Sequence, residues 1–165
     1  MSKKNFRVRG YITVEELKSL GLIPEQNRLM KGPVAIAECP EQIPCDICVH
    51  SCPLNAITMS SINDIPRIDW NRCVGCALCV PECPGLAIFV VGYSRDGSKG
   101  LVTLPYEFNP KPKVGDVVDL LSRDGRIVGK GKVVRVWRKN LTWVVTVEVP
   151  KDKVFEVRAI WIRRE

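Results

Sequence analysis

The 165-residue chain contains no apolar run approaching the ~20 residues that a helix needs to cross a bilayer. Its start, Met1-Ser2-Lys3-Lys4-Asn5-Phe6-Arg7, leads into mixed polar sequence without the apolar core of a secretory signal. Neither a phosphate-binding P-loop nor a G-x-G-x-x-G dinucleotide fingerprint is present. Gly129-Lys130-Gly131 lies in a strand-rich stretch with no helix behind it. With no evident flavin, nicotinamide or substrate site, chemistry on an organic molecule is expected to lie in another chain. Histidine occurs once, at His50. The expected setting is cytoplasmic, where thiols stay reduced and clustered cysteines hold metal more often than they form disulfides.

What the chain does contain is cysteine, eight of them in two groups. Cys73, Cys76, Cys79 and Cys83, followed by Pro84, spell C-x2-C-x2-C-x3-C-P. Cys39, Cys45, Cys48 and Cys52, followed by Pro53, repeat the pattern with a longer first gap. A shift of 31 residues lays Cys45, Cys48, Val49, Cys52, Pro53, Ala56 and Ile57 on Cys76, Cys79, Val80, Cys83, Pro84, Ala87 and Ile88. Two copies of one unit explain that match. The same shift sets Gln42 opposite Cys73, so Cys39 lies three residues upstream of its expected place.

This spacing suits an iron–sulfur cubane, which needs four soft thiolates around one small object. Three cysteines at two-residue gaps wrap one cluster and aim backbone N–H groups at its sulfurs. The fourth, turned away by the following proline, reaches across to the neighbouring cluster. On that logic Cys39, Cys45, Cys48 and Cys83 hold cluster 1, and Cys73, Cys76, Cys79 and Cys52 hold cluster 2. Gly75 is expected to give the backbone room beside the sulfurs, and Ile47, Val49, Leu78, Val80, Ile57 and Ile88 to form a dry shell. Zinc ribbons use paired C-x2-C knuckles rather than triplets closed by C-x3-C-P. The extra residues before Cys45 form a loop long enough to bring Cys39 to the cluster. Two alternatives stay open there: Gln42 as an unusual ligand, or a [3Fe-4S] form if Cys39 does not ligate.

Hydrophobic residues make up 45% of the chain and charged residues 26%, the balance of a globular protein rather than a disordered one. The formal charge of +7 invites a nucleic-acid reading. Two [4Fe-4S]2+ clusters with four thiolates each carry −2 apiece, which lowers the loaded protein to about +3. A surface of that charge steers toward an acidic partner and is weak support for nucleic acid. Trp137, Trp143 and Trp161, interleaved with Arg135, Arg138, Lys139, Arg158 and Arg163, suit packing better than the stacking of bases. Arg7 and Arg9 serve a partner or the solvent. His50, between ligands, reads as a surface residue before a proton relay.

Four stretches differ in texture. Residues 1–38 form an extension with one helical signal, Thr13 to Gly21, where Thr13 and Glu16 have the spacing of a capping box. Residues 39–91 are the cluster domain. Residues 92–112 are a hairpin and linker, with Pro105, Pro110 and Pro112 marking a hinge. Residues 113–165 alternate as short strands, with a hairpin signal at Asp124-Gly125. Together with Ala87 to Tyr93 and Leu101 to Tyr106 these strands predict a small closed barrel.

The paired cysteine runs resemble those of two-cluster bacterial-type ferredoxins, over about a third of the chain. Glu38-Cys39-Pro40-Glu41-Gln42-Ile43-Pro44-Cys45, with Cys83-Pro84-Gly85-Leu86-Ala87-Ile88-Phe89, is similar to the small iron–sulfur subunits of multi-subunit FAD-dependent dehydrogenases. That group oxidises amino acids, proline or hydroxyproline, opines and glycerol 3-phosphate. Together with the strand pattern, the resemblance implies an α+β fold, a ferredoxin-like two-cluster domain followed by a small antiparallel β-barrel. It implies as partners a flavoprotein dehydrogenase subunit and an electron acceptor. A free ferredoxin is commonly acidic and needs little beyond its cluster domain; this chain is basic and extended on both sides.

Overall fold

In the computed structural model, which describes residues 6–163, the chain begins with the short helices α1 (Phe6–Arg9) and α2 (Val14–Ser19). The capping box forms as the sequence suggests. Glu16 N–H donates to Thr13 Oγ1 at 3.2 Å, and Thr13 N–H donates to Glu16 Oε2 at 2.9 Å. The two bonds satisfy backbone donors that the first turn leaves free. Gly21, at φ +64°, takes the left-handed conformation that ends a helix, and α2 buries Leu17 completely. A 3-10 turn at Gln26–Lys31 buries Leu29.

Strand β1 (Val34–Ala37) is buried along its whole length. Helix α3 (Ile47–Ser51) and the two-residue strands β2 (Ile57–Thr58) and β3 (Arg67–Ile68) follow inside the cysteine region. Beyond it come β4 (Ile88–Tyr93), β5 (Gly100–Tyr106), β6 (Val117–Leu121), β7 (Ile127–Lys139), β8 (Thr142–Val149) and β9 (Ala159–Trp161). All ladders are antiparallel. One seven-stranded sheet runs β1-β4-β5-β8-β7-β6-β9, and β2-β3 pair separately.

The seven strands share a core. Val34 and Ile36, Phe89 and Val91, Val102 and Leu104, Val145 and Val147, Val133, Leu120 and Ile160 bring every strand of the sheet into one buried cluster. Each fully buried aliphatic side chain contributes about 1.5–3 kcal/mol. An exposed pair such as Arg7–Glu41, at 2.8 Å, contributes about 0–1 kcal/mol. Apolar burial, not surface charge, therefore holds the sheet.

The expected closed barrel is not found among the described residues. No ladder joins β9 back to β1, so the sheet stays open. Its strands also include β1, β4 and β5, which precede residue 113. The physical reason lies partly in β7, which serves two ladders: its first half pairs β6 and its second half pairs β8, with a register shift between Val133 and Arg135. A side chain at Gly131 would stand 2.3 Å from Glu148 O, so the close crossing at that bend requires glycine. Within the alternating stretch after residue 113, Phe155 to Ile162 is a strand only at Ala159–Trp161, after a 3-10 turn at Lys151–Lys153. Pro105 sits inside β5 opposite Val144, past Thr103, the last β5 residue paired with β4. No helix among the described residues is long and apolar enough to cross a membrane.

Candidate cluster-binding site

The 31-residue repeat is visible in the backbone. Ala37 pairs with Ile88, and Ile68 with Ile57, so the first strand of each copy pairs with the last strand of the other. Glu38 N–H donates to Ala87 O and Asp69 N–H to Ala56 O, both at 2.8 Å. Asn55 and Leu86, related by the shift, both take left-handed conformations at φ 49° and 52°. Those turns aim the next N–H at a thiol: Ala56 donates to Cys52 Sγ at 3.3 Å and Ala87 to Cys83 Sγ at 3.4 Å. A third such bond runs from Ala35 N–H in β1 to Cys73 Sγ at 3.3 Å. Hydrogen bonds of this kind favour the charged thiolate.

The thiols fall into two sets of electrostatic neighbours. Burial pushes the Cys48 thiol up to about 11, with Cys83, Cys45 and Cys39 adding to it. Burial raises Cys39 as well, again with Cys83 and Cys45 beside it. Cys79 is pushed up to about 12, first by burial and then by Cys73, Cys76 and Cys52. Cys48 and Cys79 are buried, Cys76 is exposed and the other five cysteines are half-buried. Crowded, dry thiols of this kind hold their protons until a metal displaces them.

The apolar surroundings match the expected shell in part. Val80, Ile57 and Ile88 are buried with Cys48 and Cys79, and Val49 packs against them half-buried. Ile47 and Leu78, which share one position in the two copies, are instead 43% and 41% exposed. Gly75 is required by its backbone conformation and by a close neighbour. At φ +66° a side chain there would stand 2.6 Å from Pro33 O, so the chain before β1 crowds it. Gln42 is exposed and lines a surface cavity with Thr58, Met59 and Arg67.

Several contacts at the site carried no sequence signal. Arg28 Nε donates to Trp70 O at 2.8 Å and its Nη2 to Cys73 O at 3.1 Å, which ties the start of the second copy to the 3-10 turn. Trp70 Nε1 donates to Ala35 O at 3.1 Å. Glu38 is gripped by Arg123 and Arg158, 85 and 120 residues away in sequence. No local spacing rule reaches so far. Lys139 pairs with Glu82 at 2.6 Å, between Cys79 and Cys83.

The remaining candidates resolve simply. His50 is exposed, with Nε2 at 3.2 Å from Asp46 Oδ2. Trp137 packs beside the cysteine cluster and Trp143 against the main core. Arg138 lies over the Trp143 ring at 5.3 Å. Trp161 is 56% exposed, and Arg163 bonds Asp119 Oδ2 at 2.7 Å. Arg7 bonds Glu41, and Arg9 bonds Glu16 while lying 5.1 Å over Tyr11.

Among the described residues, no three His, Cys, Asp or Glu side chains converge closely enough to hold a single metal ion. A cubane places each thiolate on its own iron, so four separated thiols with N–H bonds to sulfur fit that group. Residues 38–88 match the family model of the 4Fe-4S dicluster domain. This stretch is thus a ferredoxin-like 4Fe-4S domain, which supports an iron–sulfur electron-transfer role. The chain is 35% identical over 52 residues to the ferredoxin-like protein YdhY of Escherichia coli K12, covering 32% of this chain and 25% of that protein. YdhY of Shigella flexneri matches to the same extent. ABC transporter E family member 1 of Arabidopsis thaliana is 29% identical over 101 residues, 54% of this chain and 16% of that protein. The chain thus spans a quarter or less of the curated relatives it matches. No solved structure matches it.

Proposed function

We propose that this chain is the electron-transfer subunit of a larger oxidoreductase, carrying electrons from the flavin of a partner FAD-dependent dehydrogenase to a separate acceptor. Two [4Fe-4S] clusters, when bound, would supply one-electron transfer. Cys39, Cys45, Cys48 and Cys83 would hold one, and Cys73, Cys76, Cys79 and Cys52 the other. The observation that supports this reading is the crossed pairing of the two copies, Ala37 with Ile88 and Ile68 with Ile57, with a backbone N–H bond to a cysteine sulfur in each copy. The chain's own residues have three tasks. Ala35, Ala56 and Ala87 donate N–H bonds to sulfur and favour thiolate. Val80, Ile57 and Ile88 exclude water. Ile47, Leu78 and Val74 leave apolar surface beside the cysteines, which suits contact with another protein.

The subunit role is supported by the basic charge and by the sequence on both sides of the cluster region. Anaerobic purification of the native protein tests it. The expected result is a complex that contains a flavoprotein and whose flavin, reduced by substrate, bleaches the iron–sulfur absorbance. A monomeric chain that exchanges electrons with unrelated enzymes would favour a free carrier instead.

A further inference from the structure

The gap from Cys39 to Cys45 is three residues longer than that from Cys73 to Cys76, and Cys39 follows Glu38 directly whereas Cys73 lies four residues beyond the matching Asp69. The longer gap contains Pro40 and Pro44, which have no N–H to give. In the shorter copy Asp69 organises the approach to the first cysteine locally. Its Oδ1 accepts the Asn71 N–H at 2.9 Å, and its carbonyl accepts the N–H groups of Arg72 at 3.1 Å and Cys73 at 3.0 Å. Glu38 is the matching acid of the longer copy, as their equal 2.8 Å bonds to Ala87 O and Ala56 O show. There Cys45 N–H turns to Ile43 O at 2.9 Å and Ile62 O at 3.0 Å.

The Glu38 carboxylate is held from outside the cysteine region. Arg123 grips it with two bonds, Nη1 to Oε2 at 2.7 Å and Nη2 to Oε1 at 2.5 Å, and Arg158 Nε donates to Oε1 at 2.7 Å. The three side chains are only 8%, 4% and 7% exposed, in the order Glu38, Arg123, Arg158. Both arginines are fixed in turn. Arg123 bonds Phe155 O at 3.0 and 2.9 Å, Arg158 bonds Val154 O at 3.1 Å, and the Arg158 guanidinium lies 5.0 Å over the Phe89 ring. Bidentate arginine–carboxylate pairing of this kind fixes orientation as well as position.

We propose that Glu38, Arg123 and Arg158 are positioning residues for Cys39: their ion cluster takes the place of the local bonds that lead from Asp69 to Cys73, for which the adjacent Glu38 and Cys39 leave no segment, and holds that thiolate within the first set. The inference rests on the reading that Cys39, Cys45, Cys48 and Cys83 hold one cluster. The clamp reaches a second ligand of that set too, because Glu38 N–H bonds Ala87 O while Ala87 N–H bonds Cys83 Sγ. Cys39 and Cys83 come from different copies, and Glu38 registers one against the other.

Anaerobic reconstitution of the full chain tests the proposal, with iron per chain and the EPR spectrum of the oxidised protein as readouts. An oxidised three-iron cluster is paramagnetic, whereas a [4Fe-4S]2+ cluster is EPR-silent. Glu38→Gln and Arg158→Met are expected to raise the three-iron signal several-fold over the natural chain, with Arg158→Lys intermediate. The reduced signal of the second cluster should persist in each and serve as the internal check on folding. Asp69→Asn should leave the first cluster intact. The proposal is overturned if Glu38→Gln and Arg158→Met keep full iron and show no three-iron signal. It is equally overturned if they lose both clusters together, since the ion cluster would then support the fold at large. A natural chain that takes up no iron would sink the functional reading first, and this inference with it.

Discussion

Cys39 is the residue on which the proposed first cluster set depends. Its neighbours by charge are Cys83 and Cys45, while Gln42, which the repeat places opposite Cys73, faces a surface cavity. Cys39→Ser is expected to cost about one iron per chain and to leave a three-iron form, whereas Gln42→Ala should change neither. Iron analysis with EPR distinguishes the two; loss of iron from Gln42→Ala would reverse the assignment. Gly75 offers a second test at this scale. Its positive φ and the nearby Pro33 carbonyl predict that Gly75→Ala destabilises the chain by about 2–4 kcal/mol. Thermal melting checks it, and an unchanged midpoint would show that Pro33 can withdraw freely. The 4Fe-4S domain was legible in the sequence because its cysteine run fixes residue type and spacing together. Arg28, Arg123 and Arg158 were not, because an arginine that bonds a carbonyl or carboxylate through the fold leaves no local pattern.

At the scale of elements, short-range chemistry was the readable part. The Thr13–Glu16 capping box, the turn at Gly125 and the strands at Val117–Leu121, Ile127–Lys139 and Thr142–Val149 lie where local patterns placed them. Each depends on neighbours within a few residues. Closure of the sheet depends on which distant edges meet, and alternation of side chains says nothing of that. The β4–β5 hairpin has a charge test of its own. Asp96 is lowered to about 2, first by the Ser94 hydroxyl and then by Ser98 backbone and side-chain bonds. A carboxyl depressed in the folded state contributes stability above the ordinary value of 3.8 that is lost as pH falls toward 2. Ser94→Ala should return the Asp96 titration toward 3.8, as followed by carboxyl NMR. An unchanged titration would assign the effect to Ser98.

On the scale of the whole molecule, the cysteine region and the later strands share one sheet. β4 joins β1 on one side and β5 on the other, β5 joins β8, and Arg123 and Arg158 return from the far edge to Glu38. A chain ending at residue 106 would strip the β8 ladder from β5 and leave Glu38 buried without its arginines. Such a truncation is expected to fold poorly and to load well below half the iron of the full chain, which circular dichroism and iron analysis would reveal. Full loading of the shortened chain would show that the first 106 residues stand alone. The exposed apolar residues Val74, Ile47 and Leu78 lie by the cysteines, where the proposed partner would find apolar surface to meet.

The central claim is that eight thiols hold two electron-carrying clusters. Anaerobic reductive titration of the reconstituted chain, followed by EPR, tests it most directly. The account predicts about eight irons per chain and reversible uptake of about two electrons, with the spectrum of two neighbouring reduced clusters. Four irons with a single electron, or iron that takes up none reversibly, would contradict it.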